Sequence, residues 1–219
     1  MVSGQEASAQ YANFLLLLQA SFIGQSLGLK QTFIIYRIDM FRGILLQCKF
    51  ILVAFLNVTY NFFPYPLRKL YLRIFGIKTG KNTSIHRLCR FFHVGNLQVG
   101  NNCTINFGCY LDNRRGIYIG NNVGIAHNTK IYTLGHDIDD PEFKTKGKAT
   151  IIEDNSFIFS NAIIMPGVTI GEGAIVLPGS VVTKNVEAWS IVGGNPAHFI
   201  RKRKENIDYR HSYNYLFAL

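Results

Sequence analysis

Six histidines occur in the 219 residues, at 86, 93, 127, 136, 198 and 211, and His136 stands apart by its surroundings. It lies in IYTLGHDIDD (131–140), where the regular six-residue pattern described below is interrupted. An imidazole titrates near neutral pH, which suits it to act as a general base that takes a proton from a nucleophile. Asp137 and Asp139 are close enough in sequence to hold the far ring nitrogen, and a backbone carbonyl would orient the ring as well; the sequence leaves both open. Asn106 is the second candidate, picked out by the family resemblance given below; its amide can both donate to and accept from a hydroxyl. Its alternative is a plain corner residue, as for Asn101 and Asn102. Asp112, in LDNRRG, divides equally between a contact to the acceptor and a structural turn. The four cysteines, Cys48, Cys89, Cys103 and Cys109, include no CxxC pair and no Cys/His cluster at zinc spacing, so no metal site is expected. They are also too few and too scattered for a disulfide framework, which favours a reducing compartment.

The elements that must carry these residues show a period of six. Large aliphatic residues fall at Val99, Ile105 and Leu111, then at Ile119, Ile125 and Ile131, then at Ile152, Ile158, Ile164, Ile170, Val176 and Val182. Four residues after each comes a second, mostly small column: Cys103, Cys109, Arg115, Val123, Thr129, Gly135, Ser156, Ala162, Val168, Ala174, Ser180 and Val186, with Arg115 the exception. Such a repeat implies a narrow triangular coil in which each hexapeptide gives one short strand and one corner, three make a turn, and stacked turns form parallel sheets around an apolar interior. Cys89, Cys103 and Cys109 fit the small column as compact hydrophobes. Between Ile131 and Ile152 the spacing is 21, read as three more than a full turn of 18, and His136 stands at the start of that excursion.

Hydrophobic residues make up 48% of the chain, enough for a core and against disorder, while 20 Gly and 16% charged residues argue against a helical bundle. The net charge is +10 and is unevenly placed. Residues 1–76 carry seven Lys+Arg and two acids, 77–196 eleven and nine, and 197–219 five and two. The division expected is therefore a helical extension over 1–76, a β domain over 77–196 and a basic tail over 197–219. Gly43 to Phe63 is long enough to cross a bilayer, but Lys49 lies inside it and Arg42 just before it, so a helix lying on a membrane or packed on protein is favoured. Pro64 and Pro66 end it, and residues 66–75 set Arg68, Lys69 and Arg73 among apolar residues in an amphipathic pattern. These helices are expected to cap the next domain, a role compatible with peripheral membrane contact. The amino terminus MVSGQEASAQ lacks the basic region of a signal peptide, which disfavours export. The basic run at 201–204 has no interleaved aromatics, so nucleic acid is not an expected partner.

From about Ile77 to Arg203, and most specifically in IYTLGHDIDD, IIMPGVTIGEGAIVLPGSVVTKNV (163–186) and IVGGNPAHFIRKR (191–203), the chain resembles the left-handed parallel β-helix of hexapeptide-repeat acyltransferases. It is similar to the maltose and galactoside O-acetyltransferase branch, and its helical preface and NCTINFGCYLDNRRGIYIG segment are similar to acetyltransferases of bacterial capsule, colanic-acid or O-antigen assembly. The resemblance implies the left hand, a homotrimer and acetyl-CoA as donor. It gives His136 the role of general base and Asn106, 30 residues before it, that of an acceptor-binding amide. Ser160, Ala162 and Gly179 match positions along the pantetheine arm of the donor. Thr183 and Lys184 match positions near its phosphates, and Arg201 a phosphate-binding arginine. His198 stands where that branch often has Arg, and Phe157 replaces a Trp, which puts one phosphate contact and donor stacking in doubt. The function implied is acetyl transfer to a sugar hydroxyl of a bacterial surface polysaccharide or its precursor, in the cytoplasm or at the inner face of the membrane. N-acetylation of an amino sugar and a non-catalytic β-helix scaffold are the alternatives.

Overall fold

An aliphatic residue at every sixth position can be buried along a whole chain only if the chain coils so that those positions stack. In the computed structural model, which describes residues 27–65, 67–206 and 208–211, they do. The expectations for MVSGQEASAQ, for Pro66 and for tail residues 212–219 lie outside the described residues. Residues from Lys78 onward form a left-handed parallel β-helix of about six turns. Its three faces carry strands in the order 78–79, 97–99, 117–119, 150–152 and 169–170; then 84–85, 104–105, 124–125, 157–158, 175–176 and 190–193; then 90–91, 110–111, 130–131, 163–164 and 181–182. All twelve aliphatic positions read from the sequence are buried in one core, and so are Cys89, Cys103, Cys109, Val123, Ala162, Val168, Ala174 and Val186 of the small column. Arg115 is exposed, as its departure from the pattern requires.

Corners need backbone that most residues resist, and asparagine supplies it. Asn82, Asn102, Asn122 and Asn155 all have φ between +51° and +61°, and their amides bond up the stack, Asn82 to Asn102 at 3.3 Å and Asn122 to Asn155 at 2.9 Å. Gly100 is required by crowding instead: a Cβ there would lie 2.4 Å from the carbonyl oxygen of Gly120 in the next turn.

Two readings of the repeat change. The coil begins one turn earlier than the columns starting at Val99, with Thr79, Ile85 and Phe91 in the same inward positions; a threonine and a phenylalanine mask the aliphatic pattern there. The interval from Ile131 to Ile152 is not a full turn plus three. Ile152 pairs with Ile119, so the chain passes a single corner in that interval, and the excess leaves the coil as an antiparallel hairpin of Leu134–His136 with Thr145–Gly147.

The chain divides into two compact units, residues 1–50 and 51–219. Helix α1, Leu27–Thr59, runs through the boundary, and its residues 37–48 are exposed, with an Arg42–Asp39 ion pair at 3.7 Å. In the second unit Leu56 and Tyr60, with Leu72 of helix α2 (Leu67–Ile74), join the core beneath Ile77 and Ile85. Asn57 bonds both the backbone carbonyl and N–H of Phe91, at 2.8 and 2.9 Å. The capping role expected for these helices therefore belongs to residues 56–72. At the other end a strand at His198–Lys202 turns back antiparallel on Ser190–Gly193 and closes the stack.

Candidate active site

His136 ends the first strand of the hairpin, directly opposite Thr145, and its ring is exposed. Nδ1 lies 2.7 Å from the carbonyl oxygen of Phe143. A carbonyl only accepts, so Nδ1 carries the proton and the neutral ring presents the lone pair of Nε2 outward. The Phe143 ring stacks on the imidazole at 4.6 Å between centroids and 8° between planes. Phe143 itself has φ +50°, a left-handed conformation that costs a bulky residue energy and here turns its carbonyl back toward the histidine.

Neither aspartate orients the ring. Asp137 accepts from Lys146 Nζ at 2.8 Å, and its N–H donates to the Lys144 carbonyl at 2.9 Å, so it braces the two hairpin strands. The lysine bond, helped by the N–H of Asp139, holds the Asp137 carboxyl below the usual range and raises Lys146 correspondingly. Asp139 takes part through that N–H, 3.3 Å from Asp137 Oδ1. Phe143 was missed from the sequence because the carbonyl that meets the His136 ring is offered by any residue type.

The other candidates fall at two corners. Asn106 follows the second face and precedes the third; it is half-buried, its N–H is spent on the Ile125 carbonyl, and Phe107 beside it meets the His127 ring edge-on at 4.6 Å. Ser160, Ala162 and Gly179 lie at this same corner in later turns. Ala162 is buried, its carbonyl accepting from Lys130, and Ser160 accepts from the N–H of the exposed Gly179 at 3.0 Å. His136 leaves from the next corner, between the third and first faces, where the exposed Thr183 and Lys184 also lie. Among the described residues no hydrogen bond or ring contact joins the two corner sets. Arg201 is exposed on the closing strand, and among the described residues its side chain bonds the carbonyl of Lys202, at 3.1 Å, and no carboxylate, which leaves its charge available to an anion. The exposed Lys184, Thr183 and Arg201 thus suit the phosphates of a nucleotide-bearing donor.

Asp112 is fully buried and is covered by Arg114, whose Nε and a terminal nitrogen reach its two oxygens at 2.7 and 2.9 Å. The outward group at this point is the guanidinium, which also lies over the Phe92 ring. Phe157, which stands where the resembled branch has a tryptophan, packs on Phe159 and on His211 of the tail, at 4.7 and 5.4 Å. Lys202 and Arg203 serve the coil. Arg203 donates to the carbonyls of Asn155 and Gly173 at 3.0 and 2.9 Å and to the Tyr209 hydroxyl at 2.7 Å. Cavities of about 490 Å³, on the first face around Tyr118 and Ile151, and about 530 Å³, beneath the tail around Trp189 and Tyr209, include neither His136 nor Asn106.

Residues 149–184 match the family model for the bacterial transferase hexapeptide (six repeats). The fold is similar to that of a maltose O-acetyltransferase from Clostridium difficile 630, with a TM-score of 0.69, 32% identity, and coverage of 74% of this chain and 89% of that one. It is also similar to the hexapeptide-repeat acetyltransferase VCA0836 of Vibrio cholerae in complex with acetyl-CoA, with a TM-score of 0.59, 26% identity, and coverage of 70% and 86%. WcaF of Escherichia coli, provisionally named a colanic acid biosynthesis acetyltransferase, is 30% identical over 141 residues, 64% of this chain and 78% of its own length. Other curated relatives, from Schizosaccharomyces pombe and Agrobacterium fabrum, are spanned over about half of their length or less, 53% and 33%.

Proposed function

The chain belongs to the hexapeptide-repeat acetyltransferase family, and from that premise we propose that it transfers an acetyl group from acetyl-CoA to a hydroxyl of a sugar in a surface polysaccharide or its precursor. The observation that carries this reading is the 2.7 Å contact of His136 Nδ1 with the Phe143 carbonyl, which calls for the proton on Nδ1 and leaves Nε2 to accept. Acetyl-CoA, found in complex with the related VCA0836, supplies the acetyl group as a reactive thioester. Nε2 takes the proton from the acceptor hydroxyl as its oxygen attacks, and the resulting imidazolium is stabilised by the carbonyl at Nδ1. The same proton is then returned to the departing thiolate, which restores the ring. Asn106 orients the acceptor, and Thr183, Lys184 and Arg201 hold the donor phosphates.

Because Asn106, Ser160, Ala162 and Gly179 occupy one corner and His136 the next, the complete site forms where one corner of a chain meets the other corner of its neighbour, and three chains close the ring. Thiol release with acetyl-CoA and a panel of hydroxyl-only and amino sugars tests the reading. His136→Ala should lower turnover by about two to four orders of magnitude. An unchanged rate with the accepted sugar removes the mechanism, and a response to amino sugars alone redirects it to N-acetylation.

A further inference from the structure

Helix α2 is amphipathic, but beside the buried Leu72 it turns basic side chains toward the coil. Arg68 is buried and donates to the carbonyls of Phe63 and Ile85 at 3.0 and 3.1 Å, Lys69 donates to the Gly80 carbonyl, and Arg73 reaches the Thr79 carbonyl at 3.1 Å. Leu67, Leu70 and Ile74, at i, i+3 and i+7, are left on the outside, with Ile74 74% exposed. Water would favour the reverse orientation. On α1 and the turn after it, Ile51, Phe55, Val58 and Phe62 form a second exposed apolar stripe in the same unit.

Two further facts identify what covers these surfaces. Within Tyr36–Phe62 the most apolar 18-residue stretch has mean hydropathy 1.6, and only 6% of it is buried. The consecutive exposed residues Ile44, Leu45 and Leu46, then Phe50, Ile51 and Leu52, place apolar side chains around most of the helix circumference. A groove on a protein partner reads one stripe of a helix, whereas lipid contacts it from all sides. The part of this segment ahead of the docked Leu56, residues 36–55, spans about 30 Å, close to the thickness of the hydrocarbon layer, and the long stems of Arg42 and Lys49 let their charges reach the interface. The second fact is charge. Between Asp39 and Asp112 the chain has nine Lys+Arg and no acidic residue, and Lys78, Lys81 and Arg90 are exposed on the first turn of the coil.

We propose that α1 and the outer stripe of α2 are seated in a bilayer rich in anionic lipid, with the basic first turn of the β-helix against the headgroups. The apolar helices supply the insertion, and Lys78, Lys81 and Arg90 supply the preference for anionic lipid.

Flotation of the full chain with phosphatidylcholine vesicles, with and without phosphatidylglycerol, tests this. The protein should float with both, bind the anionic vesicles about tenfold or more tightly, and keep part of its binding in 1 M salt. Ile51→Glu, Val58→Glu, Leu70→Glu and Ile74→Glu together should reduce flotation at least tenfold while leaving the circular dichroism spectrum unchanged. A readout independent of these substitutions is Cys48, exposed on α1, which should react with a water-soluble maleimide in buffer and be protected by vesicles. Failure to float, binding abolished by salt, or undiminished labelling of Cys48 with vesicles overturns the proposal. So does a larger oligomer in buffer that the four glutamates disperse, which would assign the surface to a second copy of the chain.

Discussion

Phe143 holds His136 in two separable ways, by its carbonyl and by its ring, and Phe143→Ala removes only the second. The stack is nearly parallel at 8° and 4.6 Å, an arrangement that contributes about 0.5–1.5 kcal/mol beyond area burial. If that energy fixes the reactive rotamer, turnover should fall about three- to tenfold with the KM for acetyl-CoA unchanged, since the donor-binding residues are untouched. Phe143→Gly should lose the same activity but gain order, because glycine relieves a left-handed conformation that costs an L-residue about 1–2 kcal/mol. The gain is local, so it should appear as slower amide exchange in residues 134–147 and not as a higher melting temperature. Steady-state kinetics with hydrogen exchange on both variants provides the assay. Wild-type turnover in Phe143→Ala refutes the role of the ring. A loss as large as that of His136→Ala shows that the carbonyl has moved with it and refutes the separation.

The tail carries a pH response that the chain's single tryptophan can report. Burial, and secondarily Arg203, push His211 below its ordinary value of 6.5, so docking of residues 208–211 is fully stabilised above that pH and is lost as pH falls through the depressed value. Trp189 fluorescence should therefore change below about pH 6.5 in the native protein but not in His211→Phe, and a flat native profile counts against the tail contact. Of the four thiols only Cys48 should react with Ellman's reagent before denaturation, since Cys109 is raised by its hydrogen bond with the Cys89 thiol and by burial, and Cys103 by burial; a second fast thiol contradicts the packed small column. Arg114→Ala strands the buried Asp112 carboxylate and should cost about 2–4 kcal/mol in urea unfolding, more than the roughly 1–2 for Asp112→Ala, which leaves an exposed cation that water can solvate. A large change in acceptor KM for Asp112→Ala at unaltered stability would return that residue to the acceptor site.

What could be read from the sequence, and what could not, follows from which interactions are carried by residue type. Ile125 lies between Ile105 and Ile158 on one face because each turn must bury an aliphatic residue at the same place, and a period of six records this directly. The asparagine corners were legible for a similar reason, since few other side chains tolerate their backbone. The hairpin was not, because 21 residues from Ile131 to Ile152 fit a turn plus three as well as a corner plus an insertion, and only the pairing of Ile152 with Ile119 separates the two. His136 could be singled out by type and context, whereas its partner could not, since any residue at 143 offers a carbonyl.

Helix α2 shows the limit most clearly. Periodicity reveals that one side of a helix is apolar and the other basic, but the side that turns inward depends on what lies on each flank. Arg68, Lys69 and Arg73 find the carbonyls of Ile85, Gly80 and Thr79, acceptors created by the coil itself, and Arg68 also finds that of Phe63 in the turn before the helix. Once the basic side is committed there, Leu67, Leu70 and Ile74 must face outward, whatever the outside is. In water that arrangement leaves three large apolar side chains without cover; against hydrocarbon it satisfies both sides of the helix at once. The orientation of an eight-residue helix is thus the strongest physical reason to place this end of the protein at a membrane.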